Sequence, residues 1–509
     1  MLNLSDELGV VLSYVADGDL VNTLMAWTPD QLRRALPVLL QQERGAQRLA
    51  HVLPYLPPAT PRRSPDDILH WLSDGLHAGN YSQPVYRVLD SVIELPLVPA
   101  ARALERMDPR WLSVAAPRWS GANPLEARLR AIGRYAAREG NARVMHRVAA
   151  AGIDLDVQGL TGGAVVHFAA ERNHAEVIDV LGRYMTPARL MARDLRGRNA
   201  ADIAAAFNHP GVIRALHRAG VGLAALMARN RHGLSPLDIA ARDGHVEVIQ
   251  AFSDLGADPI ALMARGEDGG FNAAEVAAQN GSASSILALR RAGVGPEALT
   301  ARHPEGFNTP FLAAVRGHAL VFVALRLAGV ELDAFSAEGP PGDTCVHEAA
   351  RRGHVDVIEL FRDMGVRIDA PVRGGMTPLH EAARYGQAGV VAQLHAGRAR
   401  MNAVTEEGWA AIHLAAEHDH AGAIGALWTA GANLDIGGPR NVTAALLAVR
   451  HGSMGAIDAL RAAGASFDTP TFDGETARAM ATLGGLQHLL PAPRAPRTGF
   501  HTAAPCVVM

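Results

Sequence analysis

The apolar pattern of this chain is dominated by a pair of alanines that recurs along most of its length, each time five residues after a slot that holds a small or helix-capping residue. The sharpest copy runs from 377 to 386, with its alanines at 382 and 383. Thr377 can cap a helix, Pro378 fits a first turn that needs no backbone N–H, and Gly386 can adopt the left-handed conformation that ends the helix. The small pair lets a second helix pack closely. The pattern therefore predicts a helical hairpin, repeated.

The copies align on the capping slot with steps of 33, 35, 36, 37, 36, 36, 33, 33, 33 and 33 residues, which gives eleven units, the last of them truncated. The slots are Ala131, Ala164, Asn199, Ser235, Asn272, Asn308, Thr344, Thr377, Ala410, Thr443 and Thr476. The alanine pairs are Ala136-Ala137, Ala169-Ala170, Ala204-Ala205, Ala240-Ala241, Ala277-Ala278, Ala313-Ala314, Ala349-Ala350, Ala382-Ala383 and Ala415-Ala416. A small pair kept in one slot predicts one way of packing throughout residues 126–484.

The run Gly375-Met376-Thr377-Pro378-Leu379-His380-Glu381-Ala382-Ala383 resembles the ankyrin signature of a turn followed by two antiparallel helices. The resemblance implies an all-α fold, an ankyrin-repeat solenoid of about eleven helix-turn-helix units with a small N-terminal helical module. It also implies function, because in that family the turns and the inner helices line a concave surface that grips protein partners. The chain is thus expected to be a protein–protein interaction scaffold.

Five of the steps exceed 33 residues, and the extra residues sit together before the capping slot. They contain Thr186-Pro187 or Asp258-Pro259 followed by Leu-Met-Ala-Arg, which predicts a capped single helical turn in place of the usual hairpin turn. Phe335 to Glu338 is a weaker fifth copy. The inserts bring four arginines into equivalent positions, and they are candidates for binding an acidic partner segment or for pairing with a nearby acid: Arg193, Arg229, Arg265 and Arg302.

The first 125 residues lack the repeat spacing and are cut into short pieces by prolines, so they are predicted to be a separate helical module over 41–125 preceded by a segment over 1–40. Residues 4–27 resemble an F-box, although Ser5 stands where that family usually has Pro. The resemblance implies three small helices that dock on the Skp1 adaptor of a ubiquitin ligase, through Leu4, Leu8, Leu12 and Leu20. The alternative is that these helices only cover the apolar end of the solenoid.

Residues 485–509 are Pro-rich and predicted to be flexible. They end in Cys506-Val507-Val508-Met509, which matches the CaaX prenylation signal with Met favouring a farnesyl group; the alternative is an accidental match. One lipid chain gives only marginal membrane binding.

An F-box-like start, ankyrin repeats and a CaaX end together resemble bacterial effectors that are lipidated in a host cell and recruit a host ubiquitin ligase. A plain ankyrin binding protein without ligase or lipid function is the competing hypothesis.

Composition narrows the remaining function classes. A net charge of −3 gives no electrostatic reason to expect nucleic acid, and two cysteines in 509 residues fit a reducing compartment. With no secretory signal and no apolar run of about 18 residues, the chain is predicted to be soluble and intracellular, or in the host cytoplasm and at a host membrane if it is an effector.

No cofactor, metal or catalytic residue is predicted. The histidines His167, His347, His380 and His413 share one repeat slot, and stacked helices hold equivalent side chains about 8 to 10 Å apart, too far to share an ion. Arg351 stands where a zinc-protease helix starting at His347 would need its second histidine. Cys345 occupies the Pro slot of a repeat and is predicted to be packed. In the N-terminal module Asp66, Asp67, His70 and His77 make no recognised constellation.

Overall fold

The computed structural model describes residues 100–101, 103–104, 124–155, 164–266, 269–337, 339–340, 342–485 and 487–490. The F-box-like segment, most of the helical module over 41–125 and the Pro-rich tail beyond 490 lie outside these residues. The chain divides into two compact units, Met1–Leu262 (unit 1) and Met263–Met509 (unit 2). Each is a stack of helix pairs.

Unit 1 contains inner helices that contact one another and outer helices that do the same. The inner helices are α1 (Pro124–Glu139), α3 (Val165–Glu171), α6 (Ala200–Ala206) and α9 (Pro236–Asp243). The outer helices are α2 (Ala142–Ala150), α4 (Ala175–Leu181), α7 (Pro210–Arg218) and α10 (Val246–Asp254). Three short helices follow outer helices: α5 (Pro187–Leu190), α8 (Leu223–Leu226) and α11 (Pro259–Leu262).

Unit 2 repeats the arrangement. Its inner helices are α12 (Ala273–Asn280), α15 (Thr309–Arg316), α17 (Cys345–Arg352), α19 (Pro378–Arg384), α21 (Ala411–Glu417), α23 (Ala444–His451) and α25 (Ala477–Leu483). Its outer helices are α13 (Ala283–Arg291), α16 (Ala319–Leu327), α18 (Val355–Met364), α20 (Ala388–Ala396), α22 (Ala421–Thr429) and α24 (Met454–Ala463). The short helix α14 (Pro296–Leu299) lies between α13 and α15, and 3₁₀ turns occur at Leu332–Phe335, Arg373–Gly375, Pro439–Asn441 and Gln487–Leu489.

The predicted capping slots begin the inner helices from Ala164 to Thr476. Asn199 and Asn272 accept the backbone N–H three residues on, and the carboxylate at that third position accepts the N–H of the cap in return. This reciprocal pair satisfies two of the N–H groups that a helix start leaves without partners. The short helices predicted from the inserts are present too: Thr186 caps α5 and Asp258 caps α11 through their side chains.

The first slot, Ala131, was predicted wrongly as a helix start. Residue 131 lies in the middle of α1, which begins seven positions earlier at Pro124. Alanine has no side-chain acceptor to cap a helix, and the preceding residues 125–130 are leucine, glutamate, alanine and arginine, all strong helix formers. The helix therefore continues through the slot.

The core of each unit lies between successive helix pairs. All nine predicted alanine pairs are completely buried, as the pattern required. A cluster of three aromatic rings is buried in unit 2, where Phe335 from the 3₁₀ turn meets Phe322 of α16 and Phe361 of α18, each fully buried. The ring centroids of Phe322 and Phe361 are 4.7 Å apart with the rings nearly perpendicular. Phe335 thus fills, with an aromatic ring, the position that a leucine occupies in the four short helices.

Candidate functional site

The third residue of several inner helices ties its helix to the next turn along the chain. The Nε2 atoms of His167, His347, His380 and His413 lie 3.0–3.1 Å from the carbonyl oxygens of Ala192, Met376, Trp409 and Ile436. A carbonyl only accepts, so Nε2 carries the proton, and the facing Nδ1 accepts from the capping residue of the same helix. Burial lowers the pKa of all four rings, which favours this neutral form. These contacts give the four histidines a structural role.

Where the third residue is acidic instead, an arginine from the preceding insert reaches it. Arg229 Nη1 lies 2.6 Å from Asp238, Arg265 pairs with Glu275 through both terminal nitrogens, and Arg193 lies 3.8 Å from Asp202. The carboxylate side chains are at most 2% exposed. Arg193 and Arg229 also donate to the carbonyls of Gly197 and Gly233, so these guanidinium groups close the turn as well as compensating a buried charge.

Arg302 differs from the other three arginines of the inserts. The third residue of α15 is Phe311, so no carboxylate stands at that position, and Arg302 Nη1 lies 3.4 Å from the carbonyl of Gly306. The structure thus gives Arg193, Arg229 and Arg265 internal carboxylate partners. A role for the four arginines in partner binding stays a prediction. The sequence holds an acid nine or ten residues after each of these three arginines, in place of the usual histidine, but only the structure shows that the two groups meet.

In unit 2 one arginine links two repeats. Arg351, at the end of α17, donates from Nη1 to Glu348 at 2.8 Å, from Nε to Glu381 of α19 at 2.9 Å, and from Nη2 to Asp343. The three carboxylate side chains are 5%, 6% and 10% exposed. These contacts raise the pKa of Arg351 above its already high value, so the guanidinium stays charged.

An open cleft lies in unit 2, between the repeats that begin at Thr377 and Ala410. It has a volume of 410 Å³ and is lined by Gly374, Met376, Arg384, Thr405, Glu406, Glu407, Trp409, Leu414, Glu417 and His418. The lining residues come from three kinds of position in a repeat: the turn, the residue just before the helix cap, and the C-terminal turn of the inner helix with the residue that follows it. We call the surface formed by these three kinds of position the inner face of the unit.

The residue before each cap is large and apolar in much of unit 2. Phe271 and Phe307 stand before Asn272 and Asn308, and their ring centroids are 5.5 Å apart. Met376 and Trp409 occupy the same position in later repeats and line the cleft. The sequence interpretation missed this row, although aligning the copies on the cap places these four side chains in a single column.

The walls of the cleft are held by backbone contacts. Glu406 donates its N–H to the carbonyl of Gly374 at 3.0 Å, which joins two successive turns. Trp409 donates its N–H to Thr405 Oγ1 at 3.1 Å, and its carbonyl accepts from His380. A Cβ on Gly438 would lie 2.9 Å from the Trp409 ring, so the missing side chain lets the indole lie against the next turn. The cleft is therefore preformed.

Two adjacent glycines give a matched test of the hydrogen bond between Glu406 and Gly374 that joins the two turns. Gly374 and Gly375 both have positive φ, at 79° and 71°, but a Cβ on Gly375 would lie 2.8 Å from the N atom of Glu406, whereas one on Gly374 meets nothing within 4 Å. We expect Gly374→Ala to cost about 1 kcal/mol from backbone strain alone, and Gly375→Ala roughly 1–3 kcal/mol more, because backbone must move. Hydrogen exchange at Glu406 measures the effect; equal losses in the two variants would contradict it.

The buried histidines make stability depend on pH. Burial lowers the pKa of His347, His380 and His413 from 6.5, so the unfolded chain takes up protons at a higher pH than the folded chain. Their stabilising contribution is present above pH 6.5 and is lost as the pH falls through the folded pKa values. We expect α17, α19 and α21, which carry these histidines, to lose amide protection on acidification from about pH 7 to about pH 5.

Unit 1 supplies an internal contrast to this prediction. Burial raises the pKa of Asp202 from 3.8 to about 6, so its contribution is present below pH 3.8 and is lost as the pH rises through 6. Protection of α6 should therefore fall less than that of α17 over the same interval, as hydrogen exchange with mass spectrometry can show. Greater protection of α17 at the lower pH would contradict the assignment.

The remaining residues singled out in the sequence lie either outside the described part of the chain or in the buried core. The Skp1-binding candidates Leu4, Leu8, Leu12 and Leu20 and the lipidation candidate Cys506 lie outside the described residues. Cys345 is completely buried, and burial raises the pKa of its thiol to about 12, as expected of a packed side chain. Among the helices that the structure describes, none combines the length and the apolar character needed to cross a membrane.

Two stretches match family models. Residues 310–400 match the model described as ankyrin repeats (3 copies), and residues 232–263 match the model described as ankyrin repeat. A search of curated proteins gave no match. Neither family match is catalytic, and ankyrin repeat proteins are in general non-enzymatic interaction scaffolds. Residues 232–263 and 310–400 therefore contain ankyrin repeats, and the described helix pairs with their buried alanine slots form an all-α fold consistent with an ankyrin solenoid.

Proposed function

We propose that this protein is a non-enzymatic scaffold that binds a partner protein through the inner face of unit 2, around the cleft at Trp409. Ankyrin repeats have a protein–protein interaction role. The observation that carries the choice of surface is the cleft itself, because an aromatic side chain and several charged ones converge on preformed backbone there. Aromatic anchors in preorganised clefts carry much of the energy of protein interfaces.

A peptide-display selection tests the proposal on the full chain. Random dodecapeptides selected on the wild-type protein are expected to include binders that lose affinity at least about tenfold for Trp409→Ala, a loss typical of a buried anchor residue. Trp428→Ala is the matched control, because Trp428 is 52% exposed and lies on the outer helix α22. Binders that respond equally to both substitutions, or to neither, would contradict the proposal.

The finer hypothesis is that the protein is a secreted bacterial effector that bridges its partner to a host Skp1-cullin ubiquitin ligase from a farnesylated membrane location. It is supported by the F-box-like residues Leu4 to Trp27 and by the CaaX match at Cys506. Intact mass after expression in a eukaryotic cell, compared with Cys506→Ser, tests lipidation. Pull-down of Skp1 by the wild type and by a Leu8→Ala/Leu12→Ala/Leu20→Ala variant tests the ligase link. An unmodified protein that leaves Skp1 in solution would leave the plain ankyrin scaffold.

A further inference from the structure

We infer that the cleft at Trp409 takes a cationic side chain, an arginine or lysine in an exposed segment of a partner protein. The inference rests on the proposed function and adds the chemistry of the partner. It stands on three features of the cleft: the balance of charge around it, the lack of internal partners for its carboxylates, and the fixed position of its indole.

The charge around the cleft is predominantly negative. Three carboxylates, those of Glu406, Glu407 and Glu417, line it against one guanidinium, that of Arg384. Glu406 and Glu407 are exposed, and Glu417 is half-buried. Low-dielectric walls around like charges strengthen the field inside a cleft, so a cation is favoured there and an anionic segment is repelled.

These carboxylates also have no internal partners among the described residues. Elsewhere in unit 2, Arg351 binds Glu348 and Glu381, and Arg450 lies 3.2 Å from Glu475. In the part of the chain that the structure describes, Glu406, Glu407 and Glu417 form no side-chain hydrogen bond and no ion pair with a basic residue. At the cleft three carboxylates without such partners line one opening, and a bound cation would supply the partner that Arg351 and Arg450 supply elsewhere.

The indole of Trp409 suits the same ligand. The backbone N–H and carbonyl of Trp409 are both hydrogen-bonded, to Thr405 and to His380. The indole ring lies against Gly438 and edge-on to the His413 ring, and the two ring centroids are 5.4 Å apart. A tryptophan ring is the strongest aromatic partner for an ammonium or guanidinium group, and here it is held in place before binding. A cleft of 410 Å³ is also within the range that accommodates a side chain with its adjoining backbone.

Peptides from the dodecapeptide selection provide the probe. Those that require Trp409 would be synthesised with a fluorescein label and titrated by anisotropy with the full chain. Replacing their arginine with citrulline, or their lysine with acetyl-lysine, removes the charge with little change of shape. We expect a loss of at least about tenfold in affinity for the uncharged peptides, and weaker binding of the charged peptide as salt increases.

Two variants of equal charge separate the cleft from general electrostatics. Glu406→Gln/Glu407→Gln/Glu417→Gln should lower the affinity of the charged peptide at least about tenfold and flatten its salt dependence. The control removes three exposed carboxylates that do not line the cleft, through Glu176→Gln, Glu297→Gln and Asp356→Asn, and should stay within about twofold of the wild type.

The outcomes distinguish this inference from the proposed function. Peptides that require Trp409 but bind equally well without their charge would overturn the cationic ligand and leave the scaffold intact. Equal losses in the two triple variants would also overturn it, because the effect would then come from net charge. A selection that yields no peptide dependent on Trp409 would overturn the cleft as a binding site altogether.

Discussion

Replacing Arg351 with alanine is expected to destabilise the repeats around α17 and α19 by about 3–5 kcal/mol. The guanidinium compensates three carboxylates whose side chains are no more than 10% exposed, and two of them, Glu348 and Glu381, belong to different repeats. Without it Asp343 and Glu381 lose their ion-pair partner in a poorly hydrated place, while Glu348 keeps its contact with Arg352. The cost is that of uncompensated buried charge rather than of a lost surface contact.

The effect is measured by hydrogen exchange of the full chain at α17 and α19, because repeat arrays open locally and a single unfolding transition would average over them. Arg362→Ala is the matched control. Arg362 also has acidic neighbours, but Glu359 and Asp363 are 49% and 59% exposed, so a much smaller loss is expected than for Arg351→Ala. Similar losses in the two variants would show that burial of the carboxylates is not what makes Arg351 important.

A second substitution checks that buried charge is the cause. Adding Glu381→Gln at neutral pH should restore part of the loss, since one buried charge is then gone.

Truncation of Phe361 to alanine is expected to cost about 3–5 kcal/mol in the repeats around α16 and α18. The ring is fully buried and meets Phe322 at 4.7 Å and Phe335 at 6.1 Å between centroids. Its removal loses both the transfer free energy of the ring and the contacts of the two rings that remain. The helices packed on either side limit how far the surroundings can move in to fill the cavity that the substitution leaves.

Urea unfolding, monitored by hydrogen exchange of the amides in α16 and α18, measures this cost. Phe472→Ala is the control of the same chemistry, since Phe472 is 81% exposed and should change stability by no more than about 0.5 kcal/mol. Phe361→Leu should recover a large part of the loss by refilling the volume. If Phe361→Ala and Phe472→Ala cost the same, the three-ring cluster does not hold these repeats together.

The capping slots and the alanine pairs show how much of a repeat can be predicted from its sequence. The capping slots and alanine pairs were predicted residue by residue because each repeat solves the same local problem, which is how to start a helix and let a second one approach it. The exception, Ala131, shows the limit of the method. With no side-chain cap and with strong helix formers before it, local propensity extended α1 through the slot.

The sequence by itself determined the repeat, the capping chemistry, the buried alanines and the short helices of the inserts, because these depend on residues within a few positions of one another. Only the tertiary structure decided which charges are used inside the fold. Arg229 and Arg265 turn to acids nine and ten residues away, and Arg351 joins Glu381 across a repeat boundary, whereas Glu406, Glu407 and Glu417 face an open cleft. Partner choice for a long charged side chain depends on distances between elements, and those distances are set by packing.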